Sequence, residues 1–224
     1  MKSFGLVITI IAYFIARKFY QRFPYPFFVP VLVATVIIIC VLMLSQYPYE
    51  QYMKDVSLIT ELLGVAIVAL GYPLYRHWKL IRNYVIPILF GTFAGTYFGL
   101  ESGRILAKWL HFEDSVTYSL IVKSVTTPVA IEITEEIGGI RALAAIFVMI
   151  AGISGVVLGP FLLKWLKVDN PLEIGISYGC AAHVLGTSKS LEFGEEAAAV
   201  SSVSMTLCAV FASFLTPVII SFFS

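Results

Sequence analysis

Charged residues and cysteines are scarce in this sequence, and both shortages exclude classes of protein. Asp, Glu, Lys and Arg make up 13% of the 224 residues, the formal net charge is +1, and no basic cluster is present that could bind a nucleic-acid backbone. The three cysteines, Cys40, Cys180 and Cys208, lie far apart in apolar segments and form neither a disulfide framework nor a CxxC metal pair. We therefore expect no nucleic-acid partner and no metal, and we predict that the cysteines are small packing residues.

The sequence also lacks the common motifs of hydrolytic enzymes. His183 and Ser188 share one segment, but the chain has no GxSxG nucleophile elbow and no HExxH zinc pair. We predict no catalytic residues and no cofactor, and we expect that the protein is not an enzyme.

Apolar residues, in contrast, are abundant. They make up 59% of the sequence, and the mean hydropathy is +0.90, which excludes a water-soluble globular domain and indicates an all-α polytopic membrane protein. We expect about seven or eight membrane segments, some of them discontinuous or re-entrant helices. N-terminal scaffold spans are predicted at residues 1–55, and a core of repeated units at residues 56–224.

The N-terminal part contains two apolar runs of simple composition. The run at residues 4–16 is followed by Arg17 and Lys18 instead of a small-residue cleavage site, so it indicates a retained span whose C-terminal end faces the cytoplasm. Residues 27–45 form a second run of the length that a bilayer requires. Residues 46–55 are polar and rich in tyrosine, and we predict a loop there.

Two segments of the core place polar groups between strongly apolar runs. In residues 123–141 (KSVTTPVAIEITEEIGGIR), a lysine and hydroxyl side chains precede Pro128, which removes a backbone donor and should break the helix. Residues 178–196 (YGCAAHVLGTSKSLEFGEE) repeat this composition around His183. Such backbone is tolerated at membrane depth only where protein or a water-filled cavity surrounds it. Both segments therefore predict discontinuous helices that line a polar site.

The broken helices leave backbone N–H groups unpaired, and together with hydroxyl and lysine side chains these groups predict an anion site. The two lysines could instead be interfacial residues whose ammonium groups reach the membrane surface, and His183 could be a hydrogen-bonded structural histidine. Glu132 and His183 are the candidates for proton coupling. The predicted substrate-binding residues are Lys123, Ser124, Thr126, Thr127, Pro128, His183, Gly186, Thr187, Ser188 and Lys189.

An internal repeat relates parts of the core. Five residues recur after 56 positions, and the same step leads from Thr127 to His183. A nearly equal step connects Pro73 with Pro128, so the pattern predicts three units, each a broken polar segment followed by a small-residue span. Whether the broken segments cross the bilayer or re-enter it from one side stays open. The recurring residues are Gly99, Gly103, Lys108, Trp109 and Leu110, matched by Gly155, Gly159, Lys164, Trp165 and Leu166.

Two stripes of glycine lie within the predicted spans. Residues four apart occupy nearly one face of a helix, so such stripes predict close helix packing, and we assign them no chemistry. Basic residues at positions 76–82 precede the first stripe and predict that this end of the span faces the cytoplasm. The two stripes consist of Gly91, Gly95, Gly99 and Gly103, and of Gly152, Gly155 and Gly159.

Several of these runs resemble the LrgB/CidB family, which includes the YohK-type bacterial inner-membrane proteins. They are KSVTTPVAIEI at residues 123–133, the pair Gly138-Gly139, the small-residue span at residues 151–160, and AAHVLGTSKSLEFGEE at residues 181–196. The resemblance implies a multi-pass protein of the bacterial cell (inner or plasma) membrane. It also implies a small LrgA/CidA-like membrane partner, and we expect a homodimer or a higher oligomer.

The resemblance implies one of two functions. LrgB-like proteins are regarded either as antiholin-like or holin-like regulators of murein hydrolase activity and cell lysis, or as transporters of small carboxylates together with the A-like partner. The plastid glycolate/glycerate translocator is similar to both halves fused. The residues favour a transporter of pyruvate-, glycolate- or glycerate-class monocarboxylates, because a holin-like pore does not need two broken polar segments. Uptake of a monoanion into a negative-inside cell costs about 2.3 kcal/mol per 100 mV, so it would need a co-transported proton or an exchange.

Overall fold

The computed structural model of the chain describes residues 4–23, 28, 30–69, 71–76 and 78–223. Secondary structure within these ranges is helical throughout, so the predicted all-α class is confirmed. Three of the described helices are long and apolar enough to cross a membrane, at Phe4–Arg22, Arg141–Leu166 and Glu195–Ser221, and they indicate a membrane protein. The number of membrane segments stays a prediction.

The chain divides into two compact units, Met1–Val65 and Ala66–Ser224. The predicted boundary after residue 55 separates groups of membrane spans, whereas this division separates compact units. The predicted boundary therefore stays a prediction. In the first unit the helices are α1 (Phe4–Arg22), α2 (Pro30–Ser45) and α3 (Tyr49–Asp55), and α4 (Ser57–Ala69) begins there.

Small side chains let α1 and α2 approach closely, at Ala12, Ala16 and Ala34. The loop predicted at residues 46–55 is wrong in part, because α3 forms within it. Asp55 at the end of α3 is 6% exposed and accepts a hydrogen bond from the backbone N–H of Gly5 (3.0 Å). This carboxylate therefore satisfies one of the free donors at the start of α1, and that hydrogen bond lowers the pKa of Asp55.

The second unit contains long helices that are each followed by shorter or interrupted ones. Its elements after α4 are α5 (Gly71–Arg76), α6 (Trp78–Asn83), α7 (Val85–Trp109), α8 (Asp114–Ile121), α9 (Thr127–Glu136), α10 (Arg141–Leu166), α11 (Pro171–Ser190), a 3-10 turn (Leu191–Phe193) and α12 (Glu195–Phe223).

The bounds of these helices agree with the predicted repeat. Adding 56 to the bounds of α7 gives residues 141–165, which match α10 to within one residue. The same step takes the start of α8 to residue 170, directly before α11. The break predicted at Pro73 falls within α5, and the junction between α4 and α5, at Leu70, lies outside the described residues.

The chain is interrupted between α8 and α9. Residues 122–126 form turns, and the last of them is extended, with φ −64° and ψ 144°. The predicted break is therefore present, but it precedes Pro128, which lies in the first turn of α9, where its missing N–H is not needed. After α9 the chain returns to α8, and the N–H of Ile140 donates to Ser119 Oγ (2.7 Å). We call residues 114–140 the first hairpin and residues 122–126 its tip.

The chain reverses a second time, within α11 at His183. The backbone there has φ 41° and ψ −131°, which is not helical. A Cβ added to Gly186 would lie 2.5 Å from the carbonyl oxygen of Tyr178, whereas a straight helix would separate these two residues by about 12 Å along its axis. The ring of Phe193 also returns to Tyr178, with centroids 5.8 Å apart. The predicted discontinuity is thus confirmed, and we call residues 171–193 the second hairpin and His183 its tip.

Contacts along the first glycine stripe show that α7 runs parallel to the incoming arm of the second hairpin. Gly91 faces Ile176, and Gly95 faces Cys180, so residue numbers rise together along the two helices. Further along α7, Gly103 faces the backbone of Ile121 in the first hairpin. A side chain at any of these glycines would meet the neighbouring segment, which confirms the predicted packing role of this stripe.

The second stripe shows that α10 runs antiparallel to the same arm. Gly159 faces Tyr178, and Gly155 faces Ala182, so residue numbers fall along one helix as they rise along the other. Since α7 is parallel to this arm and α10 is antiparallel to it, α7 and α10 run in opposite directions. Each is followed by its own hairpin, so the two hairpins enter the second unit from opposite ends.

Candidate functional site

Both hairpin tips lie beside the middle of a long helix. Ser124 of the first tip faces Gly99 near the centre of α7, and His183 of the second tip faces Gly152 near the centre of α10. A helix of 26 residues such as α10, one of the three helices apolar enough to cross a membrane, is about 39 Å long, somewhat more than the roughly 30 Å of a bilayer's hydrocarbon core. The two tips therefore lie at the depth where a membrane midplane would cross these helices.

The tips also lie close to each other. On α7 the first hairpin contacts Gly99, and the second contacts Gly95, one helical turn away. On α10 the carbonyl oxygen of Val148 is hydrogen-bonded to Nε2 of His183 (2.9 Å). Val148 also belongs to the buried apolar cluster that contains Val125 of the first tip. Two polar segments that are far apart in the chain are thus brought to one region.

Lys123 supplies a positive charge in the first tip. The side chain is half-buried, and its ammonium group donates to the carbonyl oxygen of Gly99 (2.8 Å) and to Ser102 Oγ (2.9 Å). A lysine ammonium has three donors, so one is left for a further acceptor. No carboxylate within the described ranges forms an ion pair with Lys123. Because an unpaired cation at membrane depth is costly, this arrangement favours an anionic ligand.

Hydroxyl and backbone groups accompany this lysine. Thr126 Oγ1 is buried and has no hydrogen-bond partner among the described residues, and Ser124 is half-buried beside α7. Helix α9 begins at Thr127, and the first N–H groups of a helix have no partner within it; Pro128 contributes none. The tip therefore offers an ammonium group, hydroxyls and the positive end of a helix, which together can bind a small carboxylate.

His183 holds the second tip through both its backbone and its ring. Its φ and ψ lie in a region that residues with a Cβ rarely adopt, so the backbone is strained. A Cβ at Gly152 would lie 2.6 Å from Nε2, so the imidazole fills the space that this glycine leaves open. In that position the ring is hydrogen-bonded to the carbonyl oxygen of Val148. The alternative that His183 is a hydrogen-bonded structural histidine therefore accounts for its contacts. Its role in proton coupling stays a prediction.

The remaining residues predicted from the second segment lie on its outgoing arm. Gly186 packs against Ala182 of the incoming arm, where a Cβ would lie 2.7 Å from the alanine methyl. The hydroxyl of Thr187 is bonded to Ser201 Oγ of α12 (2.9 Å). The exposed Ser188 donates to a backbone carbonyl of its own helix. The Thr187 hydroxyl also donates to the carbonyl oxygen of His183 (3.0 Å), so both hydroxyls already have protein partners, and their predicted contact with substrate stays a prediction.

Lys189 and Glu132 are also placed away from the tips. The ammonium of Lys189 pairs with Glu192 (2.6 Å) near the open end of the second hairpin. Glu132 is exposed on α9, whose buried face carries Val129 and Ile133 instead. Of the two predicted lysines, Lys123 is therefore the one that lies in a tip, and the role of the exposed Glu132 in proton coupling stays a prediction.

Several residues of this region were not predicted as part of the site. The acceptors of Lys123 come from Gly99 and Ser102, and the partner of His183 is the carbonyl of Val148. The glycine stripes indicated close packing, and the second stripe could have located the space beside Gly152 that the imidazole fills. A backbone carbonyl leaves no signature in the sequence, so the role of Val148 could be found only from the fold.

A groove of about 930 Å³ reaches the first tip. It lies between α7, α10 and the incoming arm of the second hairpin, and most of its wall is apolar. Lys123 is the charged side chain in this wall, and serines provide other polar groups. The groove therefore connects the ammonium at mid-depth with the outer surface of the unit.

The sequence comparisons agree with this architecture. The family model described as LrgB, LrgB-like family, matches residues 9–222. The protein YxaC of Bacillus subtilis (strain 168) is 47% identical over 218 residues, which cover 97% of this chain and 95% of YxaC. YwbG of the same strain is 36% identical, with 97% of each chain covered.

A third relative carries a functional name. The holin-like protein CidB of Staphylococcus aureus (strain N315) is 34% identical over 97% of this chain and 95% of its own length. No solved structure shows a significant match. The family model and these relatives span nearly the whole chain, so the protein belongs to the LrgB-like family, as the resemblance of its two polar segments predicted.

Proposed function

We propose that this protein is a transporter subunit that moves small monocarboxylates, of the pyruvate, glycolate or glycerate class, across a bacterial cell membrane. The observation that carries the proposal is the pair of hairpins that enter from opposite ends and meet near the middle of the long helices. Inverted repeats with interrupted helices at mid-depth are typical of secondary transporters, where the substrate site lies at the interface of the repeats.

The proposed binding groups are those of the first tip. Lys123 neutralises the carboxylate, the hydroxyls of Ser124 and Thr126 donate hydrogen bonds, and the first turn of α9 adds its positive end. One helix end contributes about 0.3–2 kcal/mol toward an anion. The sum is enough for weak, reversible binding, as transport requires.

The proposed topology follows from the charge pattern. Arg76, Lys79 and Arg82 precede α7, so the start of α7 faces the cytoplasm by the positive-inside rule. The second hairpin then enters from the cytoplasmic side and the first hairpin from the outside, and neither crosses the bilayer completely. Movement of the tips relative to each other would give each side access in turn.

The test is uptake of radiolabelled pyruvate or glycolate by proteoliposomes, with an LrgA/CidA-like partner reconstituted where the chain needs one. Lys123→Gln should lose most of the flux, because the carboxylate loses its counter-charge. Lys108→Gln is the matched control, since this exposed lysine at the end of α7 lies outside the tips. Equal flux in both variants would contradict the proposed anion site.

The names of the CidB relatives favour a second candidate, a holin-like regulator of murein hydrolase activity and cell lysis. A holin-like function predicts a pathway for small solutes of any charge. Liposomes loaded with a fluorescent dye distinguish the two functions: leakage through this chain at a rate that Lys123→Gln leaves unchanged supports the pore, and tight liposomes with Lys123-dependent carboxylate uptake support the transporter.

A further inference from the structure

The first tip has a second chemical feature, a set of oxygen acceptors; the anion site uses only the donor hydrogen of one of them, the Thr126 hydroxyl. The described residues donate no hydrogen bond to the backbone carbonyls of Lys123, Ser124 or Val125. These carbonyls follow the C-terminal end of α8, where the negative end of the helix dipole lies. Thr126, next in the chain, is 2% exposed, and its Oγ1 has no partner among the residues that the structure describes. Oxygen acceptors that lack donors are thus concentrated at one turn, in which Val125 and Thr126 are buried and the two residues before them are half-buried.

Unpaired buried acceptors need an explanation, because an unsatisfied polar group away from water is costly. A cation bound by these oxygens would satisfy them. Oxygen ligands are those that hard cations prefer. In transporters with interrupted helices, unwound carbonyls and half-helix C-terminal ends coordinate the coupling ion. The ammonium of Lys123 does not fill this role, because it extends to Gly99 and Ser102 on α7.

The charge of the bound cation follows from the protein groups that would coordinate it. Divalent cations are usually bound through carboxylates. The acceptors at the tip are neutral carbonyls and a hydroxyl, and Glu132 on the following helix is exposed. Within the described ranges no group of three or more His, Cys, Asp or Glu side chains could hold a metal ion. Neutral oxygens at a helix C-terminus suit a monovalent alkali cation.

We propose that the first hairpin tip binds Na⁺ through Thr126 Oγ1 and the unpaired carbonyls of residues 123–125, and that this ion is co-transported with the carboxylate. Binding of Na⁺ stands on the tip alone, whereas its coupling rests on the proposed transport function. One Na⁺ moved with one monocarboxylate carries no net charge, so the membrane potential would no longer oppose uptake. The two ligands also share one turn, where the added positive charge strengthens binding of the anion.

The binding test needs no transport. The melting temperature of the purified full-length chain is measured in NaCl, KCl and choline chloride at equal ionic strength, without carboxylate. We expect a rise that saturates with Na⁺ and is absent with K⁺ and choline. Thr126→Val removes the hydroxyl at nearly constant volume and should weaken Na⁺ binding at least about tenfold. Thr134→Val is the matched control, because Thr134 lies in α9, directly after the tip, is buried, and also has a hydroxyl without a partner among the described residues.

An equal rise in melting temperature in all three salts would overturn the proposed Na⁺ site. A rise with Na⁺ that Thr126→Val retains would overturn it as well. If Thr126→Val does not fold, Thr126→Ser, which keeps the hydroxyl, should still respond to Na⁺, and binding of ²²Na⁺ to the unmodified chain supplies a direct measurement. Proteoliposomes then test the coupling: carboxylate uptake driven by an imposed Na⁺ gradient supports it, and uptake that ignores Na⁺ overturns it. Na⁺ binding without any carboxylate uptake would overturn the transport function and leave the cation site intact.

Discussion

Replacing His183 with glycine should destabilise the protein less than replacing it with alanine. Both substitutions remove the hydrogen bond to Val148, whose net contribution is about 0.5–1.5 kcal/mol. Alanine keeps the Cβ and so keeps the strain of φ 41°, whereas glycine adopts such a conformation readily. We expect His183→Gly to be more stable than His183→Ala by about 1–2 kcal/mol, the usual cost of a left-handed residue with a Cβ.

The assay is thermal unfolding of the purified variants, followed by tryptophan fluorescence. For a chain of this size a difference of 1 kcal/mol corresponds to about 2–4 °C in melting temperature, so the glycine variant should melt about 2–8 °C above the alanine variant. Ser188 is the control position, because it is exposed and helical in the same α11. There the order should invert, with Ser188→Gly about 1 kcal/mol less stable than Ser188→Ala.

The same order at both positions would refute the reasoning, since it would mean that the backbone at His183 is ordinary helix. Transport measurements then separate the roles of backbone and ring. A stable His183→Gly variant that retains flux would assign this histidine to holding the tip. A stable variant without flux would assign the imidazole to transport itself, as proton carrier or substrate contact.

Three further predictions concern packing, pH and topology. Gly152→Ala should destabilise the second hairpin by a measurable drop in melting temperature, because the new methyl group would overlap the imidazole at its tip, 2.6 Å away. The hydrogen bond from Gly5 lowers the pKa of Asp55, so the stability that this carboxylate contributes is present above its unfolded pKa of about 3.9 and is lost as pH falls through the lower folded value. The melting temperatures of the unmodified chain and Asp55→Asn should therefore differ at pH 7 and converge as the pH falls below the unfolded pKa, and a constant difference would contradict this. In a cysteine-free chain, a membrane-impermeant maleimide should label Glu136→Cys in intact cells and Asp169→Cys only after lysis; the reverse result would invert the proposed topology.

Some features of the fold could be predicted because they depend on composition and on local backbone chemistry. The apolar content and long runs indicate membrane helices, and a proline or glycine within a polar segment disfavours a continuous helix wherever the segment lies. The interruption before Pro128 is of this kind, whereas the one at His183 falls on a residue with a Cβ, so its segment was predicted but its position was not. The glycine stripes likewise predicted close packing, because spacing alone places their members on one face.

The site could be predicted only in part, because its groups take partners from distant parts of the chain. Lys123 and Lys189 have similar sequence surroundings. However, Lys123 lies at a tip and donates a hydrogen bond to a carbonyl of α7, whereas Lys189 forms an ion pair near the open end of the second hairpin. Which face of α9 is buried decides that Glu132 is exposed. No local pattern contains this information, since it arises from the packing of helices that are far apart in sequence.

The amino-acid sequence by itself determined that this is a helical membrane protein of the LrgB-like family with two interrupted polar segments, because hydropathy, helix breakers and family motifs are local properties of the chain. Only the tertiary structure decided that both segments fold back as hairpins, that they enter from opposite ends, and that Lys123 and His183 each lie beside the middle of a long helix. The direction of a chain after a break depends on which surfaces it can pack against, and those surfaces, the glycine faces of α7 and α10, exist only once the long helices have come together.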